Sequence, residues 1–203
     1  NGREEICLWR MELATGAVKP MAYAGPWFWF PGFSVTPDSK SVIYTFVDPN
    51  WKNLPQDKQT GGLRKISIDG GEPTDVRTGD EKFPMPQVSP DGKLLGVINA
   101  WGQIGIIPMN DLNAAPKYFD TSTAPPDLTQ RYFRWAPDSR AIIYIAMPPG
   151  NGAELSSGTA NLRRLPVDGS TPTNLTSFND GQSIYSFAYS ADGKKLAMAR
   201  GVT

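Results

Sequence analysis

Histidine is absent from the 203 residues, which removes the commonest general base of enzyme sites. No Ser-His-Asp or Cys-His arrangement can be assembled within the chain, nor can a histidine-ligated zinc or copper site. Cysteine is all but missing: Cys7 stands alone, so no disulfide forms within the chain and the redox compartment is left open. A single small residue at the start of a strand is expected to be buried structure. Neither sign of charge prevails, with 20 Lys plus Arg against 20 Asp plus Glu, so there is no global basic field to attract nucleic acid and no acidic tail. The apolar runs are strand-sized, and neither a helix of credible length nor a membrane-inserted span is expected. The chain begins at Asn1 without methionine or a signal-like segment, which reads as a processed or excised region.

Turn chemistry, by contrast, is plentiful. Twenty glycines and nineteen prolines spaced along the chain suit a many-turned β protein. One phrase recurs four times: TPDSKSVIYTF from Thr36, SPDGKLLGVIN from Ser89, APDSRAIIYIA from Ala136 and SADGKKLAMAR from Ser190. Its aspartates, Asp38, Asp91, Asp138 and Asp192, lie 53, 47 and 54 residues apart, close to the period of a propeller repeat. A second column accompanies the first: Leu8/Met11/Leu13, Leu63/Ile66/Ile68, Ile104/Ile107/Met109 and Leu162/Leu165/Val167 share one internal spacing, that of a strand with one half-buried face. In two repeats it runs into IDGGEP or VDGSTP, where Asp-Gly supplies the positive φ of a tight hairpin.

The Pro/Ala-Asp turn, the apolar strand after it, the Leu-x-x-Met/Ile/Leu strand and the Asp-Gly-Gly-Glu-Pro hairpin together resemble the TolB-like β-propeller repeat, a relative of WD repeats. The Gly-His and Trp-Asp dipeptides of WD repeats are missing, which favours the TolB-like branch. The resemblance implies an all-β fold, a β-propeller of four-stranded antiparallel blades. About four blade-equivalents are expected: an incomplete blade over 1–21, blades over 28–77, 83–119 and 131–176, and a second incomplete blade over 184–203. The terminal blade is then split between the N- and C-termini. The ring is closed by four blades in one chain or by two chains as a homodimer, or the sequence is a window of a larger propeller. Proteins with such repeats include periplasmic interaction propellers, sensory regions of bacterial kinases or regulators, and gating propellers of prolyl-oligopeptidase-type hydrolases, so fold leaves function open.

The carboxylates offer little chemistry. Asp38, Asp91, Asp138 and Asp192 occupy one turn position, where an aspartate accepts backbone hydrogen bonds, and are assigned to structure. The other loop acids lack the Asp-x-Asp-x-Asp-Gly spacing of a calcium loop, so neither a metal site nor a cofactor is expected. Arg64-Lys65 and Arg163-Arg164 fall at equivalent points of third strands, as solvated faces, and Gly61-Gly62 and Gly70-Gly71 read as turn glycines. Trp9 and Trp135 fall in strands and read as core, as do Phe28, Phe30, Phe33, Phe83, Phe133 and Phe187 near innermost strands.

The informative constellation is aromatic. In a propeller, the second-to-third loops and the links between blades open on one face, and here they carry Trp27, Trp29, Trp51, Trp101, Tyr132 and Tyr185. Exposed aromatics beside a few polar groups form surfaces that bind protein, peptide or a small polar ligand. Arg131 and Asp180, expected near the channel mouth, would add charge selectivity. The reading is a non-catalytic binding or scaffold propeller in a periplasmic or other extracytoplasmic setting, a cytoplasmic one being the alternative. No catalytic constellation is expected within the chain. A substrate-gating part of a hydrolase, or a sensory propeller, is the competing reading.

Overall fold

The computed structural model describes residues 5–26, 32–50, 53–55, 61–79, 85–99, 103–119, 121, 133–146 and 159–202. Trp27, Trp29, Trp51, Trp101, Arg131 and Tyr132 lie outside them, as do Phe28, Phe30 and Phe83.

The described residues are all-β, in five sheets. The hairpin β1 (Glu5–Met11) and β2 (Val18–Pro26) is followed by a four-stranded sheet of β3 (Phe33–Val35), β4 (Ser41–Val47), β5 (Gly61–Ser67) and β6 (Thr74–Gly79). A second meander holds β7 (Gln87–Val88), β8 (Leu94–Ile98), β9 (Ile104–Pro108) and β10 (Lys117–Tyr118). The third holds β11 (Phe133–Trp135), β12 (Ala141–Ala146), β13 (Asn161–Pro166) and β14 (Thr173–Asn174), and the hairpin β15 (Ser183–Tyr189) and β16 (Leu196–Gly201) completes the set. The sheets follow the expected repeat. The first hairpin runs further than anticipated, with β2 reaching Pro26 rather than stopping near position 21.

Turn chemistry explains the repetition. Asp38 Oδ1 accepts from the Thr36 hydroxyl at 2.6 Å and the Lys40 amide at 3.1 Å, while the Thr36 hydroxyl accepts from the Ser41 amide. Ser89/Asp91/Lys93 and Ser190/Asp192/Lys194 repeat that geometry. In the third repeat Ala136 replaces the hydroxyl residue; Asp138 still accepts from the Arg140 amide, and its second oxygen meets Arg164 at 3.4 Å. The residue after each aspartate is left-handed, with φ of 59° at Ser39, 72° at Gly92, 58° at Ser139 and 69° at Gly193. Only glycine takes that conformation without steric cost.

The chain forms two compact units, 1–100 with 105–117 and 101–104 with 118–203. Within the first, the sheets stack by alternate strand faces. One face of β3–β6 carries Val42, Tyr44, Phe46 and Ile66, and packs against Ile6, Leu8 and Ala24 of the first hairpin. Its other face carries Ile43 and Leu63, which meet Leu95, Val97 and Ile107, all five buried. Within the second, Ile143, Ile145 and Leu162 pack against Ile184 and Phe187, with Leu196 and Met198 at the margin. Period-two alternation with both faces covered is what central strands of stacked sheets require.

Several side chains depart from the sequence reading. Trp135, Phe133 and Phe187 are buried, but Trp9 is 60% exposed and Phe33 60% exposed. Both sit on strands, as their apolar character implies, but at positions that stay largely exposed instead of in the core. Met11 and Leu13 share that exposure. Cys7 is half-buried rather than fully enclosed. Gly61 and Gly62 begin β5 instead of forming a turn, opposite Val47 and Phe46. Gly62 has φ of 151° and a Cβ there would run into the Arg77 carbonyl, so a close strand approach requires the glycine. Arg64 and Arg163 are partly enclosed rather than solvated, with Arg64 stacked 3.8 Å from the Phe46 ring centroid and bonded to Asp75 at 2.6 Å.

Candidate functional site

Of the residues expected to form a binding surface, Asp180 and Tyr185 are described, and both belong to the β14–β15 link and the hairpin that follows it. The link is fixed from behind by Asn161, the first residue of β13. Asn161 Oδ1 accepts from the Phe178 amide at 2.7 Å and the Thr176 hydroxyl at 2.8 Å, and its Nδ2 donates to the Phe178 carbonyl at 3.2 Å. The Gly181 amide donates to the Thr159 hydroxyl, and the Ala160 amide to the Gln182 carbonyl. A segment with no strand of its own is thereby held by side-chain and backbone bonds from β13 and the two residues before it, so these polar groups are matched rather than left to water.

Against this link lies Arg200 of β16. Its guanidinium stacks 3.4 Å from the Phe178 ring centroid and donates through Nη2 to Asp180 Oδ1 at 2.8 Å. The side chain is only 17% exposed, and its buried Nε has no hydrogen-bond partner. The hydrogen bond from Arg200 holds the Asp180 carboxyl below the ordinary carboxylate value, with the Gln182 amide contributing in the same direction. The aspartate therefore stays charged at neutral pH, and the aromatic ring limits the rotamers open to the guanidinium. On β15, Tyr185 is 43% exposed. Its ring overlies Gly201, where an added Cβ would lie 3.5 Å from Cε2. Gly201 is the strand neighbour of Arg200, so the open aromatic ring and the ion pair lie at the same end of one hairpin.

Such an arrangement can recognise a ligand by aromatic contact and by charge-assisted hydrogen bonds; it contains no nucleophile beside a base. Among the described residues no three His, Cys, Asp or Glu side chains gather in a group able to hold a metal ion. No described helix is long and apolar enough to cross a membrane.

Sequence reasoning names Asp180 and Tyr185, and sets Asp180 with Arg131 near the channel mouth; Arg131 lies outside the described residues. Arg200, Phe178 and Asn161 are not among its candidates. Arg200 is 20 residues from Asp180, and only the β15–β16 register brings them together. A usable signal was the FNDG run from Phe178, an Asp-Gly turn with an aromatic two residues ahead.

No protein-family model matches the sequence, and no curated protein does. Solved structures do match. TolB from Agrobacterium tumefaciens superposes with a TM-score of 0.59 at 16% identity over 85% of this chain and 57% of its own. An oligogalacturonate lyase in complex with manganese gives 0.60 at 15% identity over 94% and 52%, and the tricorn protease 0.57 at 15% identity over 98% and 22%. The chain thus spans about half the length of the first two and about a fifth of the third. At these identities the likeness establishes the fold alone, an all-β propeller of the TolB-like type.

Proposed function

We propose that this TolB-like propeller chain is a non-catalytic recognition module, holding a peptide or protein segment, or a small polar ligand, on the surface built by Phe178, Asp180, Tyr185 and Arg200. The observation that carries the reading is Arg200, stacked on Phe178 and bonded to Asp180, with the exposed Tyr185 at the same end of the hairpin. Groups fixed before binding lose little further side-chain entropy on binding, and Tyr and Arg are the residues that most often dominate binding energy at interfaces. On sequence grounds Trp27, Trp29, Trp51, Trp101, Arg131 and Tyr132 are further candidate ligand-binding residues, outside the described ones. The finer architecture belongs to the proposal as well: about four blade-equivalents, with β1–β2 and β15–β16 as halves of a split blade. So does an extracytoplasmic setting, which the TolB-like repeats imply.

A second reading has one observation in its favour, the structural likeness to the tricorn protease. In that reading the chain is the noncatalytic part of a hydrolase and the same surface meets substrate peptides on their way to a separate catalytic domain. Both readings require peptide recognition, so one experiment addresses them together. A displayed library of short random peptides is panned on the immobilised chain, and enriched sequences are measured against the protein and its Tyr185→Ala variant. Enrichment of a common pattern, weakened about tenfold by loss of one interface aromatic, is the expected result. A library that enriches nothing, or peptides that bind Tyr185→Ala equally well, would overturn the assignment of this surface.

A further inference from the structure

The ion pair of the candidate site has two unequal ends. The Arg200 side chain is 17% exposed, with its guanidinium stacked on Phe178 and its Nε buried, whereas the Asp180 side chain is 40% exposed. What the pair turns to solvent is mainly its carboxylate. Asp180 Oδ1 is occupied twice, by Arg200 Nη2 at 2.8 Å and by the Gln182 amide at 3.2 Å. Oδ2 bonds to nothing among the described residues, and an ionised carboxylate can only accept. A ligand group that meets this oxygen has to bring a donor.

The surroundings decide which donor. From Leu175 to Tyr189, through the link and β15, Asp180 is the one charged residue, among apolar, hydroxyl and amide side chains and a glycine. The charge of this stretch is that of a single acid. Arg200 meets that acid at Oδ1, so a second cation can reach Oδ2 without displacing the first. A cationic donor gains a charge-assisted bond there, stronger than the bond a neutral donor makes. A ligand carboxylate would meet an acceptor of like charge and is selected against. The acceptor is also held on both sides, through Asn161 to the Phe178 amide and through Thr159 to the Gly181 amide. An oxygen placed in this way loses little freedom when a ligand arrives.

We propose that the cluster selects a cationic side chain: a lysine or arginine of a bound peptide donates to Asp180 Oδ2, the oxygen that Arg200 leaves open. The inference rests on the peptide-recognition reading above and adds to it the charge class of the ligand.

The test pans a displayed library of random peptides on the chain. Enriched sequences are then made with both ends capped, so that no terminal charge contributes, each with a partner peptide in which Gln replaces the basic residue. Both forms are measured against the chain and against Asp180→Asn, whose urea midpoint reports on its fold, and against the chain as salt rises from about 0.05 to 0.5 M. Enriched peptides are expected to share a Lys or Arg whose replacement by Gln weakens binding to the chain about tenfold and binding to Asp180→Asn hardly at all. Added salt is expected to weaken the basic form alone. The Gln replacement and the salt series use the unsubstituted chain, so they decide the matter whatever the stability of Asp180→Asn. Peptides that share no basic residue, that share an acidic one, or that bind equally well with Gln in its place overturn this inference; if they still lose affinity for Tyr185→Ala, the recognition surface stands without it. A basic residue whose replacement costs as much with Asp180→Asn as with the chain overturns the assignment to Asp180. A library that enriches nothing overturns this inference and the reading beneath it together.

Discussion

The residue after each turn aspartate gives the sharpest stability prediction, because one left-handed conformation is filled by glycine twice and serine twice. At Gly92 a methyl group would meet the Pro37 ring at 3.8 Å, an ordinary contact, so Gly92→Ala suffers only the left-handed penalty of about 1–2 kcal/mol, partly offset by the smaller chain entropy of alanine. At Gly193 the same methyl would lie 2.8 Å from both Cβ and Cγ of Pro137, a rigid ring that cannot swing aside. Overpacking adds about 1–3 kcal/mol, for a total near 2–4 kcal/mol. Ser39 is exposed at φ of 59°, and Ser39→Gly exchanges the left-handed penalty for glycine entropy, leaving a gain of about 0.5 kcal/mol. Urea unfolding followed by circular dichroism gives all three from the shift in midpoint. The order Ser39→Gly, wild type, Gly92→Ala, Gly193→Ala is expected; equal losses at Gly92 and Gly193 would refute the contact with Pro137, and a destabilised Ser39→Gly would refute the strain argument.

Further consequences follow from the same contacts. The Thr36 and Ser190 hydroxyls, with the Lys40 and Lys194 amides, hold Asp38 and Asp192 below the ordinary 3.8. A depressed folded value stabilises the fold above the unfolded value and is lost as pH falls through the folded one, so these turns weaken in acid below about 3.8. Ser190→Ala is expected to raise the Asp192 carboxyl toward that value in a carbon-detected NMR titration, and an unchanged titration would contradict the hydroxyl's role. Leu63→Ala, in a fully buried cluster with Ile43, Leu95, Val97 and Ile107, is expected to cost about 2–5 kcal/mol in the same urea assay. Arg200→Met keeps the apolar stem on Phe178 while removing the bond to Asp180, and the Asp180 carboxyl is expected to rise in its NMR titration.

Local chemistry was legible in the sequence and tertiary chemistry was not. The four turn aspartates could be assigned because an aspartate two residues before the amide it caps is a short-range pattern, complete within five residues. The strand columns could be read because stacked sheets enforce alternation. Trp9 and Phe33 show the limit: hydrophobicity placed them on strands, yet exposure depends on whether another sheet covers that face. Gly62 looked like a turn glycine because the carbonyl that excludes a side chain, that of Arg77, arrives from another strand. Arg200 was invisible for the same reason. The expected tryptophan face lies outside the described residues, so the part of the candidate site argued from contacts is the Phe178–Arg200 cluster with Tyr185.

The central claim, recognition through that cluster, is tested most directly by amide hydrogen exchange of the chain with and without a library-selected peptide. Slowed exchange confined to the Phe178–Gln182 link and the adjoining ends of β15 and β16 is the predicted footprint. Protection that falls elsewhere, with this link exchanging at its free rate, would contradict the account.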